Sequence, residues 1–114
     1  MPTITVANIR DGAHDIAKPG VEYVGRPTAL GNPFHLQNRA SDAKRAEVIA
    51  NYRGWLGGML AQPGSDQARM FARLRAAAME GDLVLVCWCA PKPCHADVIA
   101  EMLRASLAES EAGE

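Results

Sequence analysis

Apolar and polar residues alternate at the start of the chain, with Ile4 and Val6 set between Thr3, Thr5 and Ala7. A period of two is that of a half-buried strand, so Thr3 to Ile9 is expected to be extended. Asp11-Gly12 and Pro19-Gly20 mark a loop, and Val21 to Gly25 is a short second strand. The next stretch, GRPTALGNPFHLQNRAS from Gly25 to Ser41, has no periodicity and carries two prolines and two glycines. An irregular stretch this long inside a small domain is commonly a functional one.

From Ser41 the period changes. Ser41 and Asp42 suit a helix start, and Ile49, Tyr52, Leu56 and Met59 follow at helical spacing, with Trp55 and Leu60 widening the stripe. Gly54, Gly57 and Gly58 either weaken this helix or permit close packing against it. Gln62 to Asp66 breaks the chain, and Ser65 or Asp66 can cap a second helix with Met70, Phe71, Leu74 and Ala78 inward. Leu83 to Trp88, LVLVCW, is apolar throughout, the pattern of a central strand in a parallel sheet. A last helix begins at His95, with Val98, Ile99, Met102, Leu103 and Leu107 inward. The order strand, strand, helix, helix, strand, helix predicts a small α/β domain. Its sheet is largely parallel, of about three or more strands, with helices packed on it. Residues 1–108 form that single domain, and 109–114 read as an acidic disordered tail.

Composition narrows the function. The chain has 114 residues and 48% hydrophobic content, enough for one modest core. A net charge of -1 argues against an extended nucleic-acid interface, while leaving room for a local anion site. No apolar run approaches a membrane span, and no basic segment leads into an apolar one at the N-terminus. A cytoplasmic location follows as the expectation, in a compartment where cysteines stay reduced.

All three cysteines and one histidine fall between Cys87 and His95. Three readings stand side by side. Cys94, opening a helix, would feel the positive end of its dipole and become an activated thiol, with His95 as proton partner; Asp97 in the same turn opposes this. Alternatively Cys87, Cys89, Cys94 and His95 supply the ligand types of a tetrahedral zinc site, although the spacing is not that of paired Cys-x-x-Cys knuckles. Finally, the cysteines, Cys87 above all, simply pack as small hydrophobes.

A second constellation lies in the irregular stretch. Arg26 follows a strand directly, where a guanidinium can clamp a carboxylate or phosphate, or else make a structural ion pair. Gly31-Asn32-Pro33 forms a turn whose backbone can approach a ligand. Arg39, Lys44 and Arg45 add charge, read chiefly as a solvated helix face. His14 and His35 stand in loops without companions. Trp88 and Phe34 could stack on a base, but read first as core aromatics.

Taken together, YVGRPTALGNPF, the Tyr52-Arg-Gly-Trp-Leu56 helix and LVCWCAPKPCHADVIAEML resemble the domain-of-unknown-function family 4326, from about Val21 to Leu103. The resemblance implies a small protein of bacteria or their phages, and matches Gly25, Arg26, Gly31, Asn32, Pro33, Phe34, Tyr52, Trp55, Cys87, Trp88, Cys89, Pro91, Cys94 and His95. It implies no activity. The expectation is a domain that binds or processes a small anionic ligand, plausibly a nucleotide or nucleoside derivative. Cys94 and His95 would be its catalytic candidates, and Arg26, Gly31, Asn32 and Cys89 its ligand contacts. A zinc-binding module and a non-catalytic phage or host interaction protein are the alternatives.

Overall fold

The computed structural model describes residues 3–11, 16–34, 41–88 and 94–112. Cys89, Pro91, Arg39, His14 and His35 lie outside these described residues. Three strands form one sheet: β1 (Ile4–Asn8), β2 (Val21–Tyr23) and β3 (Leu83–Cys87), in the spatial order β1-β3-β2. Both pairings are parallel, with Ile4 opposite Leu83 and Val21 opposite Val84. The apolar run therefore occupies the middle of the sheet, as its composition demands.

Three helices complete the domain: α1 (Asp42–Leu60), α2 (Asp66–Glu80) and α3 (His95–Ala112). Alternation along the strands puts Ile4, Val6, Leu83, Leu85 and Cys87 on one face. That face meets the helices, in a core shared with Tyr52, Leu56, Leu74, Ala78, Ile99 and Leu103. On the opposite face Val86 is fully buried and Val84 half-buried. α3 lies along β1 and β3, and the Arg104 side chain donates to the Ile4 carbonyl.

Serines set both helix starts. Ser41 Oγ accepts from the Lys44 amide at 3.1 Å, and Ser65 Oγ accepts from the Ala68 amide at 3.0 Å. Each such cap contributes about 1 kcal/mol by satisfying an otherwise orphaned donor. Ser65 Oγ also donates to the Met59 carbonyl at 2.8 Å, tying the end of α1 to the start of α2. Thus Ser65, not Asp66, is the cap. α3 runs on into the acidic C-terminal segment as far as Ala112. No helix among the described residues is long and apolar enough to cross a membrane.

The glycines of α1 do not serve close packing. A Cβ built on Gly54, Gly57 or Gly58 meets nothing within 4 Å. All three are exposed, so their effect is the entropic cost of glycine in a helix. Replacing any one with alanine is expected to raise unfolding free energy by about 0.5–1 kcal/mol in urea titration, with the slope unchanged.

Candidate functional site

The three strands end on one rim, and that rim is where the two signature segments meet. β2 stops at Tyr23, and the chain leaves it through Val24, Gly25 and Arg26. Side chains from several elements hold this exit by its carbonyls. His95 Nε2 lies 2.8 Å from the Val24 carbonyl oxygen, Tyr23 Oη donates to the Arg26 carbonyl at 2.7 Å, and Tyr52 Oη donates to the Leu30 carbonyl at 2.7 Å. Thr28 closes the turn, with its Oγ1 2.6 Å and its amide 3.0 Å from the Gly25 carbonyl. An irregular segment must find partners for its buried polar groups outside a ladder, and these bonds are how it does so.

Two glycines of the signature make room for this. The Tyr23 ring folds over Gly25, where a Cβ would stand 2.6 Å from Cζ. At Gly31 a Cβ would stand 2.9 Å from both Cα and the amide nitrogen of Arg26. The loop is therefore drawn tightly back on Arg26. Asn32 Oδ1 accepts from the Phe34 amide at 2.8 Å, a local turn that leaves the Asn32 side-chain NH2 as a donor. Phe34 packs against the core as expected.

His95 and Tyr52 form the buried side of the rim. Their rings meet edge to face with centroids 5.2 Å apart. A carbonyl can only accept, so His95 carries its proton on Nε2. Burial holds the His95 pKa below its usual value, opposed by the Val24 bond and assisted by the Arg26 charge. His95 is therefore a neutral ring at pH 7 that fastens α3 to the β2 exit. Burial, and then the neighbouring Cys94, push the Tyr52 hydroxyl well above its usual range, so it too stays neutral.

Cys94 immediately precedes α3. Its amide donates to Asp97 Oδ2 at 2.8 Å while the Asp97 amide donates to the Cys94 carbonyl at 3.1 Å, a reciprocal closure of the helix start. Asp97, read from the sequence as opposing a thiolate, has this structural role. The sulfur of Cys94 lies 3.2 Å from that of Cys87, and the two are not joined by a disulfide. Cys87 is 0% and Cys94 4% exposed.

For the zinc reading, the described residues bring two sulfurs together. Two thiolates on one tetrahedral zinc would stand about 3.8 Å apart, given Zn–S bonds of about 2.3 Å. The observed pair is closer, and His95 Nε2 is taken by Val24. No group of three or more metal-ligating side chains occurs among the described residues.

Arg26 is exposed, and no ion pair engages it among the described residues. Sequence reading missed Arg10 and misplaced Trp88. Trp88 is 53% exposed because it follows the last residue of β3. Its indole Nε1 donates to Tyr23 Oη at 2.9 Å, and the Arg10 guanidinium carbon sits 5.3 Å from its ring centroid. Asn8 Nδ2 donates to the Trp88 carbonyl at 3.2 Å. The carboxyl ends of β1, β3 and β2 are thus laced side by side. Their short polar signal, a lone Arg and Asn after a strand, stands out only once the sheet order is known. A separate groove of about 460 Å³ runs along α1 between Asp42, Ile49 and Arg53, with none of the sequence-predicted site residues in its lining.

The fold and rim define a class: a small parallel α/β domain with an ordered polar edge at the carboxyl ends of its strands. The profile described as Domain of unknown function (DUF4326) matches residues 7–105, and the chain belongs to that family. No curated protein matches the chain, and neither does any solved structure.

The protonation state of His95 predicts a pH signature. In the unfolded chain it takes up a proton near pH 6.5, whereas in the fold it does so only at lower pH. The folded state then binds fewer protons at His95, so its contribution to stability is constant above about pH 6.5 and falls as pH drops below it. The difference between wild-type and His95→Gln stability curves, measured by urea unfolding, should shrink as the solution is acidified through that range.

Proposed function

We propose that this domain binds a small anionic ligand, of the nucleotide or nucleoside-phosphate class, at the carboxyl rim of its sheet. The observation that carries the reading is Arg26: an exposed guanidinium, unpaired among the described residues, on a backbone fixed by side-chain hydrogen bonds on either side. A charge so placed has its geometry set before a ligand arrives, which lowers the cost of binding. Guanidinium suits phosphate through two parallel charge-assisted bonds. Open parallel sheets bind ligands just beyond the carboxyl ends of their strands.

Roles follow from position. Arg26 holds the anion, and the Asn32 amide with the tight Gly31 turn forms the adjoining wall. Trp88, exposed and pinned through its N–H, offers a ring for a planar group to stack upon. His95, buried, builds the site by fastening α3 to the β2 exit, while Cys94, also buried, opens α3 with its amide on Asp97. Their enclosure keeps a bulky ligand from the Cys94 sulfur, so binding is favoured over nucleophilic attack on that ligand.

The test is calorimetric, with a nucleoside 5′-monophosphate, the matching nucleoside and inorganic phosphate as probes. The monophosphate should bind, and Arg26→Gln should weaken it by roughly tenfold to a hundredfold, the loss of about 1.5–3 kcal/mol for a charged hydrogen bond. Nucleoside affinity should be unchanged by that substitution. Equal monophosphate affinity in both proteins, or no binding of any probe, would refute the reading.

A further inference from the structure

We propose that Cys87 and Cys94 are a peroxide-sensitive dithiol that closes to an intramolecular disulfide. The pair joins the end of the central strand to the start of α3, and its sulfurs lie 3.2 Å apart as thiols. A disulfide needs them at about 2.05 Å, a closure of about 1 Å. Neither residue has a role in holding the anionic ligand, so the inference stands apart from the proposed binding site.

Exposure sets the order of events. Cys87 is fully buried, and Cys94 retains a small accessible edge. The oxidant must therefore be small, and hydrogen peroxide meets that requirement. The Cys94 sulfur, as thiolate, attacks one peroxide oxygen; the O–O bond breaks, the sulfur becomes a sulfenic acid, and hydroxide leaves to become water. The Cys87 sulfur then attacks Cys94 Sγ, the S–O bond breaks, and the oxygen departs as a second water. Two thiols lose two electrons and two protons, and peroxide is reduced to water. A sulfenic acid with a second sulfur already in contact is resolved before further oxidation. Excess dithiothreitol reverses the closure by thiol–disulfide exchange.

The experiment uses the full chain carrying Cys89→Ser, dialysed against a chelator, so that only the two thiols in question remain. After dilute hydrogen peroxide, the intact mass should fall by two hydrogens and both thiols should vanish from titration of the unfolded chain. Fragments cut after Trp88 should stay linked until dithiothreitol is added. A mass gain of oxygen atoms with no cross-link, two thiols still titratable, or a disulfide between separate chains would each overturn the proposal. Adding Cys87→Ala removes the second sulfur. Sulfenic acid should then persist on Cys94 and be trapped by dimedone; a folded variant that yields no adduct contradicts Cys94 as the attacking sulfur.

Discussion

The bond from the His95 ring to the Val24 carbonyl is the constraint on which this domain's polar edge depends. A parallel strand that ends must turn its last carbonyls toward something other than a neighbouring strand. Here the partner is the first residue of α3, 71 positions later in the chain. That contact ties the start of α3 to the point where the chain leaves β2. Tyr52 and Tyr23 extend the same logic, each reaching a backbone carbonyl of the Val24–Leu30 segment. Because these donors are neutral and the acceptors are backbone, the segment is ordered without drawing on its own charged side chain.

Burial explains why the same histidine is poorly suited to chemistry. A ring shielded from water by Tyr52, with its Nε2 proton held by a carbonyl, is kept neutral and committed to holding structure. The adjacent sulfur is likewise enclosed. Among the described residues, Arg10, Arg26 and the Trp88 ring reach solvent at this edge, outside the enclosed clasp.

The strands and helices were legible because their residues repeat at periods of two and 3.6. The apolar run of β3 marks the sheet's centre, and Ser41 with the Tyr52–Leu56 stripe marks α1. Proximity of Arg26 to the α3 start was foreseeable only as a guess from topology, since it rests on sheet order, β1-β3-β2, which periodicity does not encode. The exposure of Trp88 is not legible in the sequence, because an aromatic at the end of an apolar run looks like core. It lies one residue past the strand, and its N–H is satisfied by Tyr23 at the surface. The α1 glycines could not be assigned from sequence, because their packing partners, or lack of them, belong to tertiary structure.

The most direct test of the account is a nitrogen-15 NMR measurement of the His95 side chain at pH 7. A neutral ring with its proton on Nε2 and a bare Nδ1 is expected, the pattern of a donor held by the Val24 carbonyl. A doubly protonated ring, or a proton on Nδ1 with Nε2 bare, would contradict it, because neither state leaves this clasp as described.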